Sequence, residues 1–400
     1  MSEETTLPLE GIRVVEFSHM AMGPSAGLLL GDLGADVVKV EPPGGDKTRA
    51  LPGSGSGLFP AFNRNKRSLQ VDLKSDRGRE LVGRLVDSAD VVTENFRPGA
   101  LGKLGLDYET LSRRHPQLVY CSLKGFLPGP YERRTALDEV VQMMGGLAYM
   151  TGPPGRPLRA GASVNDIMGG MFAAIGIMAA LRQREHTGRG QLVRSSLFEN
   201  SAFLMSPHMA QVAIYGQDVA PMPAREATWP VYDIFVAGDG RQIFLGAVSG
   251  TQWLSLCEGF GLTHLRDDPG LSTNEERVAR REHVHRELQR ALDALSYPEI
   301  VAICEQQGLP FAPVATPADL LEDPHLAEPG AGLEVTLRTG TRMRMPALPL
   351  ELDGQRLGLR RDIPQAGEHT YEIAVELGYS PAEAADFAEA APSAQASTKS

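Results

Sequence analysis

Residues 13–41, RVVEFSHMAMGPSAGLLLGDLGADVVKVE, decide the fold class of this chain. Arg13–Phe17 is a short run rich in β-branched and aromatic residues, and Ala35–Glu41 is a second run of this kind. The segment between them, around 25–33, has the pattern of a helix. Strand, helix and strand in this order predict a βαβ unit with parallel strands and a right-handed crossover.

The same alternation continues to about residue 126. Three further strands and two helices are predicted, at 68–73, 90–94, 118–123, 76–87 and 107–114. We therefore predict an α/β fold whose large domain is Rossmann-like and built on a parallel sheet. The turn after the first strand lacks the G-x-G-x-x-G pattern that lets a backbone approach a pyrophosphate, so a nicotinamide dinucleotide is not favoured.

The pattern becomes helical from about 135 to 214 and changes again near 225. Ile167–Leu181 is apolar on every side, which predicts a buried helix. The remaining predicted elements are two hairpins, at 231–247 and 333–345, and two helices, at 273–295 and 297–307. We predict a large domain at 1–215 completed by 326–390, a smaller α+β domain at 225–325 and a disordered tail at 391–400.

The composition narrows the classes of function. The chain has 400 residues, 42% of them hydrophobic, and a formal net charge of −11. An acidic chain is a poor binder of nucleic acids or anionic membranes, so neither is expected as a partner. The three cysteines make no disulfide framework, and no metal-ligand spacing occurs, so no metal site is predicted. The polar, acidic start is unlike a signal peptide, and a cytoplasmic location is expected.

Basic residues in the first domain stand out against this acidic background. Asn63–Arg67 is a dense cationic patch, and Lys74, Arg97 and Lys103 follow it near predicted strand ends or loops. A run of charges is commonly a solvated face. The ends of parallel strands are also where α/β folds bind ligands, which favours a polyphosphate or nucleotide.

Asp166 is the most informative acidic residue because it opens the apolar helix. One interpretation is structural, with an acid at a helix N-terminus satisfying free backbone amides. The other is a desolvated carboxylate that acts as a nucleophile. Burial raises the pKa of such a group and the helix dipole lowers it, so the sequence leaves both interpretations open.

Several motifs occur in a fixed order over residues 9–200. They are LEGIRV at 9–14, GP at 23–24, LGDLGADVVKVE at 30–41, NRNKRS at 63–68, DLK at 72–74, ENFRPG at 94–99, LGL at 104–106 and GRGQ at 188–191. In these motifs the chain resembles the class III coenzyme A transferases, which include formyl-CoA, carnitine and bile-acid CoA transferases. The second half of the chain matches mainly in layout.

The resemblance implies a site and a mechanism. Asp166 stands at the position of the family's catalytic aspartate, which attacks an acyl-CoA thioester and forms an aspartyl–acyl anhydride and then an aspartyl–CoA thioester. Lys74, Asn95, Phe96 and Lys103 stand at CoA-binding positions, and the 63–67 patch with Arg67 is expected to hold CoA phosphates. Coenzyme A is thus a substrate and no cofactor stays bound. The family architecture implies an interlocked homodimer.

Two alternatives remain beside the transferase. The related 2-methylacyl-CoA racemases carry a catalytic histidine where this chain has Leu137, which cannot exchange protons, although Asp138 and Glu139 lie beside it. The other alternative is a non-catalytic CoA-binding protein.

The substrate is the least determined part of the resemblance. Ala21 and Pro42 replace residues of formyl-CoA transferase, and its tetraglycine loop has no counterpart near 215–260, which argues against formate and oxalate. We expect a short branched dicarboxylate such as mesaconate, citramalate or itaconate, with transfer between two acids or within one. Arg159, His208 and Arg225 are candidates for meeting a second carboxylate.

Overall fold

The structure is a computed structural model that describes residues 6–389. The chain divides into two compact units, one formed up to Pro223 and again from His325, the other formed by Ala224–Pro324. The sequence placed the smaller domain at 225–325 and ended the first large segment at 215. The predicted tail at 391–400 lies outside the described residues.

A six-stranded parallel sheet forms the centre of the large unit. Its strands are β1 (Arg13–Phe17), β2 (Asp36–Glu41), β3 (Lys66–Gln70), β4 (Val91–Glu94), β5 (Val119–Lys124) and β6 (Leu192–Ser196). The spatial order is β3-β2-β1-β4-β5-β6, and every pair is parallel. This confirms the predicted Rossmann-like α/β fold. The sequence missed β6, because this strand is short and ends in Arg194, Ser195 and Ser196, which lack the apolar signal of the others.

Helices cover both faces of the sheet. In the first segment they are α1 (Met22–Asp32), α2 (Leu58–Phe62), α3 (Asp76–Asp87), α4 (Tyr108–Arg114), α5 (Asp138–Met144), α6 (Leu147–Thr151), α7 (Val164–Thr187) and α8 (Leu197–Tyr215). One core packs α1 and α7 against the sheet, with Ala26, Leu30 and Ile177 fully enclosed. The other core packs α3 and α4 against the opposite face. A sheet covered on both faces explains why its strands are almost continuously apolar.

The structure corrects one expectation about α7. The sequence predicted a helix buried on every side, yet Met171, Phe172 and Ile175 are 47%, 37% and 55% exposed. The glycine and alanine face packs against α1, whereas no element among residues 6–389 fully covers the face with these three side chains. By length and composition α7 would also suffice to cross a membrane, a test that core helices pass as well. In this structure 44% of its most apolar stretch is buried, and the helix packs on α1 and β6.

The small unit has its own sheet and core. Strands β7 (Val231–Val236), β8 (Gln242–Ala247) and β9 (Phe311–Pro313) form an antiparallel sheet. Its helices are α9 (Gly250–Gly259), α10 (Thr263–Arg266), α11 (Asn274–Ala279), α12 (Arg281–Leu292) and α13 (Tyr297–Gln307), with α14 (Pro324–Ala327) at the boundary. The predicted β7–β8 hairpin is confirmed. The single helix predicted at 273–295 is wrong, because the chain breaks at Arg280 into α11 and α12.

The chain then returns to the large unit. Two antiparallel pairs, β10 (Gly332–Thr336) with β11 (Arg342–Pro346) and β12 (Glu351–Leu352) with β13 (Gln355–Arg356), precede α15 (Thr370–Glu376) and α16 (Pro381–Glu389). Ile373 and Ala374 of α15 are fully buried in the core beside β3. The returning segment therefore completes the large unit.

Candidate active site

The order of the strands selects one edge of the large sheet. The chain begins at β1 and winds first toward β3 and then toward β6, so the winding reverses between β1 and β4. In open α/β sheets the crevice at the carboxyl ends of the strands, at such a reversal, is where ligands bind. The loops after β1, β3 and β4 all lie at this edge.

Helix α7 places Asp166 at the same edge. Its first half packs closely on the first half of α1, where a Cβ added to Gly169 would lie 2.3 Å from Met22 Cε and one added to Gly170 would lie 1.9 Å from Ser25 Oγ. Only glycine permits this approach. Asp166 lies about one helical turn before Gly170, and therefore beside the loop that joins β1 to α1.

The N-terminus of α7 is capped by a carboxylate from another helix. Asp138 Oδ1 accepts hydrogen bonds from the backbone amides of Asn165 at 2.8 Å and Asp166 at 3.1 Å. Asp138 is buried, and Gln142 Nε2 donates to its second oxygen. Asp138 therefore performs the capping role that one interpretation of the sequence gave to Asp166. Sequence reasoning missed it, although an acid followed by glutamine four residues later was a usable signal.

The Asp166 carboxylate is left without such partners. It is half-buried and accepts no hydrogen bond from any residue between 6 and 389. Burial raises its pKa to about 7, and the negative charges of Asp138 and Glu139 add to this, whereas Arg159 opposes it. Since a more basic carboxylate is a better nucleophile, the structure favours the interpretation of Asp166 as a reactive group.

Asn95 and Phe96 hold the loop between β1 and α1. The Asn95 side chain accepts a hydrogen bond from His19 N at 3.1 Å and donates one to His19 O at 2.8 Å. The rings of His19 and Phe96 lie 5.4 Å apart. Met20 has a left-handed φ of 64°, and its amide donates to Thr48 Oγ1 at 3.0 Å. The two residues expected at CoA thus also set the shape of the loop beside Asp166.

Buried charges support this loop from below. Lys39 Nζ donates to Ser18 O at 2.6 Å, and Lys66 Nζ lies 2.8 Å from Glu16 Oε2. The side chains of Glu16, Lys39 and Lys66 are completely enclosed. Burial lowers the pKa of Lys66 to about 8, against the pull of Glu16. Ions without access to water must be satisfied internally, so this cluster is structural.

Lys74 and Lys103 lie at the carboxyl edge, as the sequence predicted. Lys74 follows the end of β3 and Lys103 lies in the turn at Gly102–Leu104 after β4, and both are exposed. Neither side chain makes a hydrogen bond or ion pair in the described part of the chain. Both ammonium groups are therefore available to an anion.

Arg67 lies elsewhere, and its expected contact with CoA is corrected. It is the second residue of β3, near the amino end of the strand, and its side chain is 3% exposed. Its guanidinium lies 2.6 Å from Asp36, 2.9 Å from Glu372 and 2.7 Å from Glu376. Arg67 therefore joins β2 and β3 to α15 at the edge opposite Asp166.

The rest of the 63–67 patch is likewise engaged inside the protein. Arg64 lies 2.7 Å from Asp32, and Lys66 pairs with Glu16. The sequence correctly marked these residues as unusual in an acidic chain. It did not show that their partners, Asp32 and Glu16, come from the preceding βαβ unit.

A small cavity borders the loop that carries Lys103. It has a volume of about 140 Å³ and is lined by residues that include Arg97, Lys124 and Arg194. Lys124 Nζ lies 2.7 Å from Glu94 Oε2, whereas Arg97 and Arg194 are exposed. Sites that enclose whole small ligands measure ~300 Å³ or more, so this cavity fits only part of one.

The position of the racemase histidine carries no proton-transfer group. Leu137 is 58% exposed, and the neighbouring Asp138 carboxylate is committed to capping α7. Glu139 pairs with Arg159. The carboxylates that the sequence left as substitutes thus have other partners.

Most of this chain is similar to one family of known proteins. The family model described as CoA-transferase family III matches residues 9–370. A succinate–glutarate CoA-transferase from Agrobacterium fabrum is 34% identical over 383 residues, covering 92% of this chain and 96% of the relative. A succinyl-CoA:mesaconate CoA-transferase from Haloarcula hispanica is 33% identical over 394 residues, with coverage of 92% and 96%.

A solved structure shows the same likeness. The crystal structure of a CaiB/BaiF family protein from Brucella suis superposes with a TM-score of 0.82 at 34% identity, covering 93% of this chain and all of that one. Sequence and fold agree, and this chain belongs to CoA-transferase family III.

Proposed function

We propose that this protein moves coenzyme A between short dicarboxylic acids through covalent intermediates on Asp166. The observation that carries the proposal is the Asp166 carboxylate itself, which is half-buried, accepts no hydrogen bond from residues 6–389 and has its pKa raised by burial to about 7. A carboxylate stripped of its donors attacks a carbonyl more readily than a solvated one, and its pKa lets it ionise near neutral pH.

The chemistry consists of four acyl transfers. Asp166 Oδ attacks the thioester carbonyl of the donor, the C–S bond breaks, and CoA leaves as a thiolate. The thiolate attacks the Asp166 carbonyl of the anhydride and expels the donor acid, leaving an aspartyl–CoA thioester. The acceptor carboxylate attacks this thioester and releases the thiolate again. The thiolate then attacks the acceptor's acyl carbonyl, which gives the new acyl-CoA and restores Asp166.

The residues around Asp166 have distinct roles in these four acyl transfers. The Asp138 cap holds the first turn of α7, and the loop held by Asn95 and Phe96 forms the adjoining wall. Lys74 and Lys103 supply exposed ammonium groups for the CoA phosphates. Both covalent intermediates react with water, so the apolar start of α7 suits them.

The substrate class rests on the relatives. Their names specify succinate, glutarate and mesaconate, which are dicarboxylic acids of four or five carbons. We infer that this protein uses acids of this class, including the branched mesaconate and citramalate, between two molecules or within one.

We further infer that the protein is a cytoplasmic homodimer. The exposed apolar side chains of α7 continue onto α8, where Phe203 is 63% exposed and its ring lies 5.6 Å from that of Phe172. A second copy would cover this face. Sedimentation velocity tests the inference, because Phe172→Glu should turn a dimer into a monomer or an aggregate.

The deciding experiment traps the intermediate. The protein is incubated with succinyl-CoA and hydroxylamine, and the peptide with Asp166 is examined for a hydroxamate by mass spectrometry. Asp166→Ala should lose the modification and lower the transfer rate by about 10⁴-fold or more, with acyl-CoA binding retained. Glu185→Gln, on the same helix but 62% exposed, is the matched control and should change neither.

Three outcomes would replace the proposal. Full transfer by Asp166→Ala would disprove the covalent mechanism. Loss of α-deuterium from a 2-methylacyl-CoA, without transfer, would identify a racemase. Acyl-CoA binding without either reaction would indicate a non-catalytic protein.

A further inference from the structure

The charges around Asp166 pose a problem for a dicarboxylic substrate. Asp138 and Glu139 already place two negative charges near the nucleophile, and Arg159 supplies the positive charge that opposes them. A dicarboxylic acyl group brings a further carboxylate that does not react. Like charges at close range repel strongly in a partly desolvated site, so that carboxylate requires a cation.

Arg159 is fixed relative to the nucleophile by a chain of hydrogen bonds. The amide of its neighbour Ala160 donates to Gln142 Oε1 at 2.8 Å, and Gln142 Nε2 donates to Asp138. Asp138 in turn accepts the amide of Asp166 at 3.1 Å. Gln142 is fully buried, so these hydrogen bonds are shielded from water. They tie the backbone next to Arg159 to the first turn of α7, and the positive charge of Arg159 is near enough to Asp166 to oppose the rise of its pKa.

The Arg159 side chain has donors to spare. Nε donates to Ala160 O at 3.0 Å and Nη1 pairs with Glu139, whereas Nη2 donates no hydrogen bond to any residue between 6 and 389. The side chains of Arg159 and Glu139 are 40% and 51% exposed. An exposed ion pair of this kind is weak and exchanges readily with another carboxylate. Glu139 thus occupies Arg159 in the way a substrate carboxylate would.

We propose that Arg159 binds the distal carboxylate of the dicarboxylic acid and that Glu139 holds Arg159 when no substrate is present. Arg159 thereby selects dicarboxylates over monocarboxylates of the same length. The proposal rests on the proposed function and adds the residue that sets its substrate class. His208 lies on α8, and no hydrogen bond in the described residues links its side chain to the Asp138 cap. Arg225 belongs to the small unit.

The test compares two five-carbon acceptors that differ in one carboxylate, glutarate and pentanoate, with succinyl-CoA as donor. The aspartyl–CoA intermediate has released the donor acid, so kcat/KM for the acceptor reports the acceptor alone. Wild type should prefer glutarate at least tenfold. Arg159→Gln should lower kcat/KM for glutarate 10- to 100-fold and leave that for pentanoate within threefold.

Two further variants sharpen the test. Arg156→Gln removes a charge from the same exposed segment and should leave both acceptors unchanged. Glu139→Gln frees Arg159 and should lower KM for glutarate severalfold. Retained transfer to pentanoate shows that Arg159→Gln is folded. An equal loss on both acceptors in Arg159→Gln, or no loss on glutarate, overturns the role of Arg159 while the transferase stands. Absence of transfer by wild type on every pair overturns the proposed function and this proposal together.

Discussion

Arg67 and Asp166 lie at opposite edges of one parallel sheet, and their charges are compensated to very different extents. At the amino edge, the buried guanidinium of Arg67 meets three carboxylates within 3 Å. At the carboxyl edge, the Asp166 carboxylate has no hydrogen-bond donor in the described residues and carries two negative neighbours. The ion pairs of Arg67 stabilise the fold, whereas the lack of partners makes the Asp166 carboxylate more basic.

Charged residues have two different roles at these two edges. An ion whose partners are all supplied by the protein has no capacity left for a ligand. An ion denied its partners shifts its pKa and becomes available for chemistry. The following changes should therefore affect stability at one edge and activity at the other.

The largest stability effect is expected at the amino edge. Arg67→Ala leaves Asp36, Glu372 and Glu376 without their shared cation, and should lower the free energy of unfolding by about 2–3 kcal/mol because these carboxylates are partly solvated. Urea unfolding measures the loss. The control Arg79→Ala breaks an exposed pair with Asp76 and should cost under ~0.5 kcal/mol. If Arg67→Ala instead kept its stability and raised KM for acyl-CoA, Arg67 would be a CoA-binding residue.

Removing the charge of Asp166 at the carboxyl edge should increase the free energy of unfolding. The pKa of Asp166 lies above its unfolded value, so its ionisation disfavours the folded state progressively as pH rises from 4 through 7. Asp166→Asn removes this cost and should raise the free energy of unfolding by about 1–2 kcal/mol at pH 8, since water partly screens the group. Thermal melts at pH 4 and pH 8 check this. An equal effect at both pH values would contradict it.

The smallest effect concerns the neighbour of the nucleophile. In wild type, kcat/KM should rise with pH through about 7 as Asp166 ionises. Asp138→Asn removes one negative charge and keeps an oxygen for the Asn165 and Asp166 amides, although it loses the hydrogen bond from Gln142 Nε2. The midpoint of the profile should fall by about one unit.

Asp138→Ala separates the effect of the Asp138 charge on Asp166 from its role as the cap of α7. It removes both, and should additionally cost about 1 kcal/mol of stability, the usual effect of a lost helix cap. A pH profile that stays in place in Asp138→Asn would show that Asp138 acts on Asp166 through structure alone.

Much of the fold could be predicted because its signals are local. Strands β1, β2, β4 and β5 are dense in buried valine and leucine, and Asp76–Asp87 has an amphipathic pattern between a Ser75 cap and a polar end. The weakly apolar β6 gave no such signal. Helix α7 was expected to be buried throughout because its composition is uniform, and composition does not reveal how many neighbours a helix has.

The site was predictable to a smaller degree. Asp166, Lys74, Asn95, Phe96 and Lys103 could be selected from motifs, and the sheet places all of their segments at one edge. The pairing of Asn95 with His19 depends on two loops that are 76 residues apart in sequence. The Asp138 cap and the Arg159 connection likewise join segments separated along the chain, and no local pattern encodes them.

The sequence by itself determined the class of fold and the family, and it singled out Asp166 as the candidate nucleophile, because periodicity and motif order can be recognised without coordinates. Only the tertiary structure decided which charged side chains are paired within the protein and which can still bind a ligand or react. The sequence shows that Arg67 and Asp166 are charged, but a charge acquires its function from the partners that folding brings within a few ångströms. Three carboxylates pair with Arg67, whereas no donor in the described part of the chain forms a hydrogen bond with the Asp166 carboxylate.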